Sequence, residues 1–215
     1  MGILEKDMLS AATGGDLATV EKLVKQGADI NYRDTYDNFA MFTAAWEGNL
    51  EALDLFYSLG ATISYDDINL LCNAAYNGKS GSVKWLLEKG ENANFSFSAT
   101  GENALHYTIS KTSEMDERVE IVKMLLTAGI DVNKKTIAGV STLCFMRDAF
   151  LKAETPLHRA AAFANVAIID MLLKAGAQPD MKDANGDTPL SWGSWYLRDS
   201  DILRLLLYPG VSGIG

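Results

Sequence analysis

The sequence predicts an all-α protein, a solenoid of stacked antiparallel helix pairs. Three observations carry this prediction. An apolar pair, two further residues and a glycine recur six times, at Leu23-Val24 with Gly27, Phe56-Tyr57 with Gly60, Leu86-Leu87 with Gly90, Leu125-Leu126 with Gly129, Leu172-Leu173 with Gly176 and Leu206-Leu207 with Gly210. Apolar residues ahead of the glycine fall at helical spacing, as at Leu17, Val20, Leu23 and Val24. Upstream of that helix a second short apolar segment ends in paired small residues, Ala11-Ala12, Ala44-Ala45, Ala74-Ala75 and Ala160-Ala161, and Gly15, Gly48 and Gly78 punctuate the turn that follows in the first three units. Small residues let two helices approach closely, so each pair can bury against the next a face that it cannot bury alone.

Taken in order, the units divide a single 215-residue domain at 1–33, 34–65, 66–97, 98–134, 135–182 and 183–215. The repeat glycines lie 33, 30, 39, 47 and 34 residues apart, so each departure from 33 has to be placed. Residues 1–33 set Glu5, Lys6 and Asp7 where an inner unit would be apolar, as a terminal unit facing solvent must. The short interval loses three residues between Ser64 and Ala74, which predicts a clipped turn at Tyr65-Asp66-Asp67-Ile68 with Asp67 as the helix N-cap. The 39-residue interval adds one residue near Thr100 and about five in Ser110–Glu117. The 47-residue interval adds fourteen, and Leu143, Met146 and Phe150 recur there at helical spacing, predicting an extra helix over Ser141–Ala153. The last unit runs to Gly210-Val211-Ser212-Gly213-Ile214-Gly215, which reads as the start of a further unit.

Two stretches are diagnostic beyond periodicity. Thr155-Pro156-Leu157-His158-Arg159-Ala160-Ala161 and Gly27-Ala28-Asp29-Ile30-Asn31 resemble the signature of the ankyrin repeat family, with partial matches at Thr188-Pro189-Leu190, Ala104-Leu105-His106 and Gly129-Ile130-Asp131-Val132-Asn133. The resemblance extends over essentially the whole chain. It implies an ankyrin-repeat solenoid whose hairpins project as fingers, the clipped second-to-third connection excepted. It also implies that a histidine at His106 or His158 ties neighbouring loops by hydrogen bonds, and that Asn31 and Asn133 are possible substrates for an asparaginyl hydroxylase.

Composition narrows the function classes. Apolar residues make up 48% and charged residues 22% of the chain, with four prolines, which excludes disorder and collagen-like structure. No apolar stretch approaches 18 residues, the opening Met1–Asp7 has mixed charge, and Lys6 stands where a myristoylation motif needs Ser or Thr, so no membrane partner, export or lipid anchor is expected. Cys72 and Cys144 lie far apart outside any metal-ligand spacing, which points to a reducing, cytoplasmic setting without metal or cofactor. Nineteen basic against 28 acidic residues give a net charge of −9, of which residues 1–70, with four basic and twelve acidic, hold −8. Such a surface repels a phosphate backbone, and nucleic acid is not an expected partner.

An enzyme needs a nucleophile, a base and an orienting group, and two histidines in repeat-motif slots do not supply them. Gly78-Lys79-Ser80 lacks the earlier glycine of a phosphate-binding loop, because Asn73 stands there. Asn94-Phe95-Ser96 is a glycosylation sequon that matters only in an exported protein. The expected function is a monomeric, non-catalytic module that binds another protein through a basic or partly apolar segment. The alternatives are an inhibitor or immunity-type protein covering a basic surface, or the ankyrin part of a larger protein. Carried over from the family, the partner face takes Arg33, Thr35, Tyr36 and Asn38 from the first finger, Trp46 and Glu47 after the alanine pair, and Tyr76 and Asn77 from the third unit. Phe97, Ser98 and Glu102 follow from the fourth, and Lys182, Ala184, Asn185, Asp187, Trp195 and Tyr196 from the last. Trp46 and Tyr76 have a packing alternative, lying flat across neighbouring helices, and Tyr32 can likewise be read as a cover for the next finger.

Overall fold

The computed structural model describes residues 2–66, 68–142, 144 and 152–210, and these contain twelve α-helices. They group into two compact units, residues 1–91 and 92–215, taken here in turn. The first holds α1 (Ile3–Gly14), α2 (Leu17–Lys25), α3 (Ala40–Glu47), α4 (Leu50–Ser58), α5 (Leu70–Tyr76) and α6 (Ser80–Glu88). Within each pair the helices pack on each other, α1 meets α3 and α3 meets α5, and α2, α4 and α6 form a second row. Gly48 follows α3 in a left-handed conformation at φ 81°, which a residue without Cβ adopts at little cost, so the chain reverses directly into α4. Asp16 and Asn49 cap the second helix of their pairs by accepting from Thr19 N and Ala52 N. Between the rows Met8, Val20, Phe39, Leu53, Phe56, Leu70, Val83 and Leu86 are buried.

The clipped connection is a single antiparallel bridge between Ser64 and Asn69. Asn69 caps α5 by accepting from Cys72 N; Asp67, the expected cap, lies outside the described residues. The Asn69 amide donates in turn to Glu91, which also accepts from Ser64. A glutamate from the following turn thus ties down the connection that lacks a finger.

The second unit holds α7 (Ala104–Ile109), α8 (Met115–Thr127), α9 (Pro156–Phe163), α10 (Val166–Lys174), α11 (Pro189–Trp195) and α12 (Ser200–Leu207). Here α7, α9 and α11 form one row and α8, α10 and α12 the other. The extra residues expected in Ser110–Glu117 divide between a loop and an added turn of α8, which has 13 residues where α10 has 9. Buried Arg118 at the start of α8 donates to the carbonyls of Ser113 and Thr108 and so joins this loop to the end of α7. The helix expected over Ser141–Ala153 and the run from Val211 to Gly215 lie mainly or wholly outside the described residues.

Candidate protein-interaction surface

The first finger is a rigid hairpin. Asp34 Oδ1 accepts from the backbone N–H of Tyr36 and of Asn38, Oδ2 accepts from the Asn38 side chain, and Asp34 N bonds to Asn38 O. These bonds, the Asn38 side chain foremost, hold the Asp34 carboxyl below its ordinary value and therefore ionised. The charge has a structural task, which the sequence reading of an acidic surface misses. At the tip Tyr36 is 84% exposed, with Thr35 and Asp37 beside it.

Arg33 is half-buried beside the finger. Its guanidinium lies 4.8 Å from the Phe39 ring centroid and 4.6 Å from that of Tyr65, locked in a cation–π contact. From Phe39 a row of rings continues through Phe42 to Trp46 and Tyr76, with Phe42 and Trp46 stacked at 5.8 Å and Trp46 to Tyr76 at 6.1 Å. Trp46 and Tyr76 are half-buried in this row, and Asn77 donates from its amide to the Trp46 carbonyl, tying α5 to α3. Glu47 is exposed. Between α1 and the finger runs an open groove of about 800 Å³, lined among others by Leu9, Ser10, Thr13, Tyr32, Tyr36 and Thr43. Tyr32, read from sequence as a cover for the next finger, also lines this groove.

In the second unit Phe97 stacks on Tyr107 at 5.4 Å and meets Phe95 edge-on at 5.0 Å, part of a ring cluster at the foot of its finger. Trp195 is 56% exposed, with the Lys152 ammonium 5.1 Å from its ring and from that of Trp192.

Glu102 requires a correction. Its side chain is fully buried and pairs with Arg159 at 2.9 Å, so it belongs to the interior and not to a partner face. Arg159 also pairs with buried Glu154 at 2.6 Å and donates to the carbonyl of His106 and to Ser110 Oγ. Thr136 Oγ1 donates to Glu154 Oε2, and Cys144 Sγ to Glu102 Oε1. Burial disfavours the Arg159 charge, but the two carboxylates outweigh it and hold the guanidinium protonated. Burial pushes the Cys144 thiol up to about 12, leaving it a neutral donor in this network. The sequence carried a signal: both glutamates immediately precede a helix cap, and Arg159 interrupts a helix that is otherwise apolar apart from His158.

Both histidines are committed to structure. Thr155 N and Oγ1 approach His158 Nδ1 at 3.2 and 2.8 Å, so Nδ1 accepts and Nε2–H donates to the Asp187 carbonyl of the next finger. His106 accepts from Asn103 N in the same way, with Glu154 O beside Nε2. Burial lowers the pKa of both, further for His106, which also feels Arg159. Three asparagines repeat one bracket. Asn31 bridges Gly60 O and Thr62 N, Asn94 bridges Gly129 O and Asp131 N, and Asn133 bridges Gly176 O and Gln178 N. The sequon residue Asn94 therefore uses its amide to hold the following turn.

Paired helices in two rows, fingers bracketed by asparagines, and histidines joining one finger to the next define a helix-pair repeat protein. The family model for ankyrin repeats in three copies matches residues 62–136, and that for ankyrin repeats in many copies matches residues 8–56 and 154–207. The chain belongs to the ankyrin repeat family, whose repeats are a general protein–protein interaction module. Among curated relatives, human SH3 and multiple ankyrin repeat domains protein 2 is 31% identical over 105 residues, covering 49% of this chain and 5% of that protein. A Caenorhabditis elegans homologue of transient receptor potential cation channel subfamily A member 1 is 24% identical over 86% of this chain and 16% of its own length. Mouse palmitoyltransferase ZDHHC13 is 26% identical over 86% of this chain and 33% of its own length. The chain thus spans a third or less of the length of these relatives. Among solved structures, the human ASB11 ankyrin repeat domain superposes with a TM-score of 0.71 at 22% identity, covering 93% of this chain and 80% of that one. An ankyrin repeat domain from Acinetobacter baumannii AYE gives 0.72 at 24%, covering 93% and 95%. No helix among the described residues is long and apolar enough to cross a membrane.

Proposed function

We propose that this chain is a non-catalytic module that binds a partner protein through the first finger and the helix face beside it, within residues 1–91. The observation that carries the reading is Tyr36: a large ring, 84% exposed, on a finger braced by four hydrogen bonds to Asp34 and Asn38. A preorganised aromatic loses little entropy when it is covered, which is why exposed tyrosines on rigid loops serve as anchors. Trp46 and Tyr76 form a half-buried floor behind it, and Thr35, Asn38 and Glu47 a polar rim. The excess of carboxylates in the first third favours a basic surface on the partner, which would be met in the cytoplasm by a monomer. Phe97, Trp195 and the surface residues of the last finger extend this role to the second unit.

The test places a photo-crosslinking amino acid at position 36 or, as a control, at position 57, where Tyr57 is half-exposed on α4. In cells of the source organism the intact chain should capture a specific protein from position 36 and not from position 57. Equal capture from both positions, or capture from 57 alone, overturns the assignment.

A further inference from the structure

Tyr32 combines two features. It lines the groove between α1 and the first finger, and its hydroxyl, shielded from water, makes no hydrogen bond among the described residues. Leaving a buried hydroxyl unpaired costs about 1–3 kcal/mol, and most such groups in folded proteins have found a partner. Here the side chain as a whole is half-buried and borders an open space of about 800 Å³, so the unpaired hydroxyl belongs to a residue of the groove wall. The remaining lining has a definite character. Leu9 gives an apolar floor, Ser10, Thr13 and Gly14 keep the α1 wall low, and the ionised Asp34 sits on the finger wall with Asp37 next to its tip.

We propose that this groove receives an extended polypeptide segment in which small apolar residues alternate with lysine or arginine, and that Tyr32 donates its hydroxyl to a backbone carbonyl of that segment. The proposal rests on the interaction reading above and names the chemistry of the partner. Charge selects the class. Residues 1–91 hold 14 carboxylates against seven lysines and arginines, and this excess surrounds a groove whose described lining carries one charge of each sign, Lys6 on α1 and Asp34 on the finger. The walls favour an extended conformation, because the groove is bounded by a helix on one side and a hairpin on the other. An extended strand can lie along it with alternate side chains turned to the floor and to the finger wall that carries Asp34.

The test uses the full chain and three fluorescein-labelled heptapeptides: alternating lysine and valine, alternating glutamate and valine, and alternating glycine and serine. Only the lysine peptide should bind, and nitrogen-15 NMR shifts should concentrate at Ser10, Thr13 and Thr43. Tyr32→Phe should leave the melting temperature unchanged or raise it, because no protein hydrogen bond is lost, yet weaken the peptide by about five- to tenfold. Tyr36→Ala, which leaves the groove floor intact, reports on the broader reading. If the lysine peptide binds equally well to Tyr32→Phe, if its shifts fall outside the groove, or if it fails to bind at millimolar concentration, the groove assignment is wrong. Should cross-linking from position 36 persist in that case, the interaction reading stands without it. A lower melting temperature for Tyr32→Phe would show the hydroxyl already satisfied by water, and a concentration-dependent dimer without peptide would put a second copy in the groove; each overturns the proposal.

Discussion

Arg159 brings a charge into a helix whose other residues are apolar apart from His158, and it does so at a fully buried position. Two buried carboxyl groups flank one guanidinium, and the Cys144 thiol and the Thr136 hydroxyl complete the network by donating to Glu102 and Glu154. Such a triad contributes little net stability when intact, but removing one member strands the others. Arg159→Leu should therefore cost ~3–5 kcal/mol in urea denaturation, and combining it with Glu102→Gln and Glu154→Gln should return part of that loss. The histidines give the same region a pH dependence. His106 and His158 both have folded-state pKa values lowered from 6.5, chiefly by burial, so the unfolded chain binds more protons as pH falls through that value. Their contribution is fully present above 6.5 and is lost as pH falls towards the folded pKa values. Stability measured between about pH 7.5 and 5.5 should decline, and His158→Gln should reduce the slope whatever it does to the baseline.

At the scale of the element, the joints between fingers carry the specificity. Gly101 has φ +75°, and a Cβ built on it would lie 2.7 Å from the Lys135 carbonyl oxygen of the next finger, while Ile137 N donates to Thr100 O across the same joint. Gly176 has φ +92° but open space around it. Gly176→Ala should thus cost only the backbone strain of about 1–2 kcal/mol, whereas Gly101→Ala adds a backbone clash and should cost clearly more; thermal melts of the two variants compare them directly. The helix pairs are legible in the sequence because spacing and glycine punctuation are local signals. The Asn69 cap, two residues on from the expected Asp67, is a matter of turn geometry that composition cannot reveal. Glu102 misleads for a different reason. The family pattern marks its slot as a surface position, and the local signal, a glutamate just ahead of a helix cap, takes its meaning from a partner 57 residues away. Trp46 and Arg33 are legible as aromatic and cationic residues beside the finger, but whether they face solvent depends on Phe39, Phe42 and Tyr65, which close around them.

At the scale of the molecule, charge is unevenly divided. Residues 1–91 carry −7 and residues 92–215 carry −2 of the total of −9. A field of one sign acts on the rate at which an oppositely charged partner arrives, and salt screens it over roughly 8–10 Å at physiological strength. Desolvated contacts at an anchor govern departure instead. The structure separates carboxylates that serve only the field from one that also holds the finger. Asp37 and Glu47 are exposed, while Asp34 braces the backbone of Tyr36 and Asn38. With a basic partner or the lysine peptide in hand, Asp37→Asn combined with Glu47→Gln should lower the association rate several-fold at low salt, flatten its salt dependence and leave the dissociation rate nearly unchanged. Asp34→Asn should change both rates, because the neutral side chain accepts the same amide bonds less strongly and the finger that presents Tyr36 loosens. Tyr36→Ala should act almost wholly on dissociation, weakening the complex by ~2–4 kcal/mol if the ring is an anchor. Surface-binding kinetics at two salt concentrations separate the three variants. If Asp37→Asn with Glu47→Gln speeds dissociation as much as Tyr36→Ala does, the carboxylates are part of the contact and the division between steering and anchoring is wrong.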